Sequence, residues 1–203
     1  MRAMLTRLKL LFRGGGEGNE QLTAIVATLL LVLLAVEGAT LLDLRSLLTV
    51  HAFVGMLLIP VVALKLASTG WRMTRYYLRG AEYVRRGPPH VALRVVVAPL
   101  AVVSTIVLFA TGVALLALGE THGTLVGLHK ASFVVWLGAI GVHVLTRVLQ
   151  LPPILRRRLP GLALRYGVVV ASVACGVLVA MLTLPAADQL QDNVTARIGL
   201  DGD

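Results

Sequence analysis

Five long apolar segments dominate this sequence and limit what it can fold into. They cover residues 22–42, 47–68, 91–118, 125–149 and 162–184. A helix needs about 20 mostly apolar residues to cross the hydrocarbon core of a bilayer, and each segment reaches that length. The sequence therefore predicts an all-α integral membrane protein with five transmembrane helices.

The composition agrees with a membrane protein and argues against a soluble one. Hydrophobic residues make up 57% of the chain and charged residues 14%, whereas soluble domains have about 45–50% apolar and about 25% charged residues. The net charge of +9 raises nucleic acid as a partner. However, the basic residues lie in short runs between apolar segments. Residues 68–90 mix arginines with aromatic side chains, which next to a membrane is typical of an interfacial belt. We expect a lipid bilayer as partner and no nucleic acid.

Lysines and arginines predict the orientation, because they accumulate on the cytoplasmic side of membrane proteins. Four lie in the N-terminal arm, seven between residues 65 and 94, and five between residues 147 and 165, which places sixteen on one side. The other side has only Arg45, Lys130 and Arg197. The sequence thus predicts a multi-pass plasma-membrane protein with a cytoplasmic N-terminus and an external C-terminus. Its predicted parts are a basic amphipathic arm (1–21), a five-span domain (22–184) and an acidic outer tail (185–203).

Three histidines lie within the predicted spans, where ionisable side chains are costly and suggest a function. His51 and His129 lie a few residues into the second and fourth spans, both near the outer face. His143 follows His129 by fourteen residues, about 21 Å deeper on nearly the same helix face. A neutral imidazole is a good axial ligand for haem iron, and helix bundles build cofactor sites from side chains on facing helices. The alternative for each histidine is a hydrogen bond to a neighbouring helix.

The stretches VHAFVGMLLIPVVALK (50–65) and LHKASFVVWLGAIGVHV (128–144) resemble membrane b-type cytochromes built on a four-helix haem bundle. That group includes the cytochrome b subunits of quinone-linked oxidoreductases and ferric-reductase-like membrane proteins. The resemblance covers spans one to four, roughly residues 22–149. It implies haem b, with His51 and His129 as axial ligands of an outer haem and His143 as a ligand of a possible inner one. It also implies exchange of electrons with a quinone pool or a redox partner subunit.

The second span departs from the two-haem pattern, in which each ligand helix carries two histidines about fourteen residues apart. Position 65 is a lysine, and this leaves three interpretations. Only the outer haem is bound, with Lys65 and His143 in a structural or proton-handling role; His90 supplies the missing ligand; or neutral Lys65 is itself a ligand. Lys65 also has the length to reach the interface without any role at a site.

Glycines, and charged residues at the outer ends of the spans, give weaker evidence for a haem site at the outer histidine pair. Gly55, Gly112 and Gly127 lie close to the outer histidines and are expected either to leave room for a macrocycle or to serve helix packing. Charged or ionisable groups at the outer rim, able to pair with haem propionates or to face solvent, are Arg45, His122 and Lys130.

The sequence thus predicts an electron-transfer component of an oxidoreductase, with one haem expected and the second left open. Two rival functions stay open: an assembly or structural subunit of a larger membrane complex, and a small transporter whose histidines relay protons. Carboxylates within the spans are limited to Glu37, which argues against a carboxylate-lined proton pump.

Overall fold

The computed structural model describes residues 15–78 and 93–200, and these residues form helices joined by short connections, with no strand among them. The helices are α1 (Gly15–Thr40), α2 (Leu48–Tyr77), α3 (Ala98–Leu118), α4 (Thr124–Arg147), the short α5 (Leu151–Leu155) and α6 (Leu162–Leu200). Short 3₁₀ turns follow α1 and α4, and a π-helical turn, Leu93–Val97, precedes α3. His90 and most of the predicted N-terminal arm lie outside the described residues.

Five of these helices are long and apolar enough to cross a membrane, as the sequence predicts. Large apolar side chains such as Val32, Val103, Val134 and Leu182 are exposed on their surfaces. In a soluble domain such an extensive apolar surface would promote association, whereas here it is the surface that faces lipid. The chain is therefore organised as a multi-pass membrane protein.

The long helices alternate in direction, so the bundle has two ends. The first we call the His51 end, because Thr40, His51 and His129 lie towards it. The opposite end we call the Arg165 end, where α1, α2 and α6 meet through buried polar side chains.

The fifth long helix, α6, is an integral part of the bundle. It packs most extensively against α2, while α1 also packs on α2 and α3 packs on α4. Gly176 allows the close approach of α6, since a Cβ atom there would collide with the backbone carbonyl of Leu57. Val26, Leu58 and Val169 belong to the buried apolar cluster shared by α1, α2 and α6.

The predicted outer tail is helical over most of its length. Helix α6 continues through Pro185 to Leu200, and its 39 residues span roughly 58 Å, about twice the hydrocarbon thickness of a bilayer. Gln191 on this extension accepts hydrogen bonds from the backbone N–H groups of Leu48 and Thr49 at 3.0 and 3.4 Å. The extension thereby satisfies free donors at the start of α2, one turn before His51.

The Arg165 end carries a buried polar network. The Arg165 side chain is only 1% exposed and donates to Gln21 Oε1 and to the carbonyl of Pro160, each at 2.8 Å. Asn19 donates to the carbonyl of Ser68 at 2.9 Å. Because buried polar groups are costly unless they are hydrogen-bonded, this network specifies how α1, α2 and α6 fit together. Helix α1 begins at Gly15 and so includes residues 15–21 of the predicted arm.

Candidate functional site

His51 lies in the first turn of α2 and faces the end of α1. Its Nδ1 is 2.9 Å from the hydroxyl of Thr40 and 3.1 Å from the carboxylate atom Oε1 of Glu37. Glu37 and Thr40 are three residues apart on α1, so they lie on the same helix face. Two consecutive helices therefore bring an imidazole, a hydroxyl and a carboxylate together inside the bundle.

The hydrogen bonds of the Thr40 hydroxyl indicate which nitrogen of His51 carries the proton. This hydroxyl has one hydrogen, and it donates to the carbonyl of Glu37 at 2.6 Å. A carbonyl can only accept, so the hydroxyl meets the imidazole with its lone pairs. We therefore assign the proton to His51 Nδ1, which leaves a lone pair on Nε2.

His129 on α4 repeats this arrangement with a partner on α3. Its Nδ1 is 3.0 Å from the hydroxyl of Thr111, and that hydroxyl donates to the carbonyls of Val107 and Leu108 at 2.8 and 3.0 Å. By the same argument, Nδ1 of His129 carries the proton and Nε2 carries a lone pair. Within the described part of the chain, neither Nε2 has a hydrogen-bond partner.

The two rings come from different parts of the bundle. His51 belongs to the α1–α2–α6 group and His129 to the α3–α4 pair, yet His129 is close enough to interact electrostatically with His51. Helices α2 and α4 are not among the closely packed pairs of described helices. Two imidazoles with free Nε2 lone pairs thus come from helices that are not a closely packed pair.

The three glycines near the outer histidines differ in what they contact, whereas the sequence predicts the same role for all three. A Cβ atom at Gly112 would lie 3.2 Å from Cε1 of His129, so Gly112 makes room for that ring. A Cβ at Gly55 would meet Oε1 of Glu37 at 3.5 Å, and one at Gly127 has no neighbour within 4 Å. Gly55 therefore borders the carboxylate, and Gly112 is the position at which an added Cβ would crowd the histidine.

Lys65 and His143, the second candidate pair, also lie near each other, but the chemistry of this pair differs. Lys65 Nζ donates to the carbonyl of Thr23 on α1 at 3.0 Å. His143 is near enough to interact electrostatically with Lys65, and none of the described residues forms a hydrogen bond with its ring. The lysine therefore provides a cation tied to α1, where the outer pair provides a second imidazole.

The rim residues expected near the outer pair are exposed. The side chains of Arg45, His122 and Lys130 all face away from the interior at the His51 end. The carbonyl of Arg45 accepts a hydrogen bond from Gln191, which ties the connection before α2 to the α6 extension.

Sequence reasoning missed the partners of the histidines, Glu37, Thr40 and Thr111. One signal was present: Glu37 is the single carboxylate within the predicted spans, and it lies at the same end as His51. For Thr111 there was no comparable signal, because threonines occur throughout the apolar segments and usually bond the preceding turn of their own helix.

Clusters of three or more His, Cys, Asp or Glu side chains suited to a metal ion are absent from the described residues. The candidate site offers two imidazole nitrogens, Nε2 of His51 and Nε2 of His129. Comparison with family models, curated proteins and solved structures finds no match to this chain.

Proposed function

We propose that this chain is an integral membrane b-type cytochrome that binds one haem b between His51 and His129. It would transfer electrons within or across the membrane, in exchange with a quinone or a redox partner subunit. The five apolar helices support the membrane location. The orientation proposed from the basic residues puts the haem near the outer face, with the N-terminus in the cytoplasm.

The observation that carries the proposal is that the two imidazoles each contact a threonine hydroxyl through Nδ1. An axial histidine must present a lone pair to iron, and its other ring N–H is almost always held by a carboxylate, a backbone carbonyl or water. Thr40 and Thr111 hold the Nδ1 protons of the two rings, which directs the lone pairs to both Nε2 atoms. The donor set therefore fits a bis-histidine haem.

In this proposal, the protein positions the haem and adjusts its reduction potential. A haem supplies a one-electron carrier, whose potential depends on its ligands, on hydrogen bonds to them and on burial. Helices α2 and α4 each contribute one ring, and α1 and α3 hold those rings in a fixed orientation. The α6 extension stabilises the start of α2 through Gln191.

A non-haem structural or assembly subunit is the second candidate, and one observation favours it. The same Nδ1 bonds join α1 to α2 and α3 to α4, which stabilises a bundle whether or not a cofactor binds. A transporter has less support, because α2 and α6 continue through Pro60 and Pro185 and are not broken into half-helices.

Haem content is the experiment that tests the proposal. The protein is expressed with ample haem precursor and purified in detergent, and haem per polypeptide is measured as pyridine haemochrome against amino-acid analysis. A value near one is expected. A value near two would mean that His143 also ligates haem, and a value near zero would reject the cytochrome in favour of the structural subunit.

A further inference from the structure

A cavity of about 320 Å³ lies between the end of α3 and the α6 extension. Residues 116–119 form one wall, and Ala186, Gln189 and Asn193 on α6 form the other. Cavities that hold small molecules have volumes from about 300 Å³ upwards. The lining described by the structure contains no ionisable side chain, so the cavity suits a neutral ligand rather than an ion or a charged lipid headgroup.

Both helices supply polar groups to this cavity. Gln189 and Asn193 are four residues apart on one face of α6, and neither amide has a hydrogen-bond partner among the described residues. A Cβ atom at Gly119 would lie 3.7 Å from Nδ2 of Asn193, so this amide approaches the end of α3. There the first two N–H groups after the helix both bond the carbonyl of Leu115. The carbonyls of residues 116–118 are left without a partner in the helix.

The cavity adjoins the candidate haem site. Its wall residue Leu116 belongs to a buried apolar cluster against which Ala52 packs, and Ala52 directly follows His51. On α3, Leu116 lies one turn after Gly112, which borders the ring of His129. The cavity therefore lies beside residues that are next to both histidines.

We propose that this cavity binds the head group of a p-quinone, with which the haem exchanges electrons. The inference rests on the proposed function and adds to it the place where the quinone binds. A quinone presents two carbonyl oxygens, which accept hydrogen bonds, and its reduced form, the quinol, presents two hydroxyl groups, which donate them. The amide N–H groups of Gln189 and Asn193 match the first form. The carbonyls of the same amides and of the α3 end match the second.

The position of the cavity also suits a lipid-soluble carrier. Leu118 lines it and is 66% exposed on the apolar surface of the bundle, so the tail of a quinone reaches lipid on that side. One quinol transfers one electron to each of two ferric haems in turn, releases its two hydroxyl protons to water and leaves as the quinone. Gln189 and Asn193 hold the head group in both forms and do not themselves react.

Binding of duroquinone, a tetramethyl p-benzoquinone, to the purified holoprotein is the test. Equilibrium dialysis in detergent measures the dissociation constant, with protein-free detergent as the blank. In Gln189→Leu/Asn193→Leu we expect the affinity to fall by about tenfold or more, because the hydrogen bonds of two amides are lost. Thr195→Val is the matched control, because its hydroxyl lies on the same extension outside the cavity lining and bonds the carbonyl of Gln191. Its affinity is expected to match the wild type.

Reduction of the ferric holoprotein by duroquinol, followed by haem absorbance, is a second readout. The double variant is expected to need about tenfold more duroquinol for half of the maximal rate. Dithionite, which needs no quinone site, is expected to reduce the variant and the wild type at equal rates.

The outcomes separate the inference from the proposed function. Equal duroquinone binding by the double variant and the haem-replete wild type overturns the inference and leaves the cytochrome intact, as does an equal loss in Thr195→Val. Should the double variant fail to fold, Ala186→Phe, which fills the cavity, takes its place: weaker binding supports the inference and unchanged binding overturns it. A wild-type protein without haem rejects the proposed function, while binding that depends on Gln189 and Asn193 still supports a quinone site in the cavity.

Discussion

The outer pair, His51 and His129, and the inner pair, Lys65 and His143, have the same spacing along their helices but different surroundings. Each outer ring has its Nδ1 held by a threonine whose hydrogen goes to a backbone carbonyl. In the inner pair, the lysine amine is directed to the carbonyl of Thr23 on α1. The outer and inner pairs thus share a fourteen-residue spacing along their helices. The neighbouring helices determine how the chemistry of the two pairs differs.

The difference shows that the hydrogen bonds of an imidazole or an amine determine whether its nitrogen has a lone pair available for a metal. An imidazole whose Nδ1 proton is fixed presents a lone pair in one direction, which suits a metal. An ammonium that donates to a carbonyl has no lone pair to offer while it remains protonated. This comparison favours one haem, at the outer pair.

Replacing each histidine in turn is expected to give the largest difference in haem content between the outer and the inner pair. In His51→Ala or His129→Ala, haem per polypeptide falls to near zero, because one axial ligand is lost and its partner ring faces an empty site. In His143→Ala, haem per polypeptide stays near that of the wild type. Pyridine haemochrome measurements on the three purified variants check this. Full haem in both outer variants would show that the ligands have been assigned wrongly.

Thr111→Val should have the next largest effect on haem binding. Valine has nearly the shape of threonine but offers no acceptor to Nδ1 of His129, and losing such a partner typically weakens metal binding by about 10–100-fold. Transfer of haem to an apo-globin acceptor measures the change in affinity. Thr146→Val is the control, since among the described residues that hydroxyl bonds only the carbonyls of Val142 and His143. Equal losses in the two variants would contradict a specific role for Thr111.

Gly112→Ala should weaken haem binding less than Thr111→Val does. The added Cβ would lie 3.2 Å from the His129 ring, so the ring must shift by a few tenths of an ångström. Gly127→Ala is the matched control, because a Cβ there has no neighbour within 4 Å. Both changes add the same helix propensity, about 1 kcal/mol. The same transfer assay compares them, and identical behaviour would show that the ring has room to move.

Lys65→Met should change haem content least. The variant loses the bond from Nζ to the carbonyl of Thr23, so we expect a loss of about 1 kcal/mol in the free energy of unfolding. Thermal unfolding in detergent, followed by circular dichroism, measures that loss, and haemochrome absorbance is expected to match the wild type. A parallel loss of haem would instead make Lys65 a ligand and remove the contrast between the two pairs.

Much of the fold could be predicted from apolar segment lengths, because a bilayer requires each crossing to be a continuous helix. The five helices appear where the sequence predicts them, although α2 continues to Tyr77 and α6 to Leu200. Segment length underestimates such helices, since hydrophobicity ends at the membrane while backbone hydrogen bonding continues beyond it. The tail over 185–200 is helical because Ala187 and Leu190 pack in a buried cluster with Leu116.

The sequence by itself determined the membrane class, the number of long apolar helices and the fourteen-residue spacing that His51 and Lys65, and His129 and His143, have along them. These properties depend on hydrophobicity and on the fixed rise of a helix, which are local. Only the tertiary structure decided that Glu37 and Thr40 face His51, and that Thr111 and Gly112 face His129. Those contacts depend on how each helix is rotated against its neighbour, and that rotation is set by packing between distant segments.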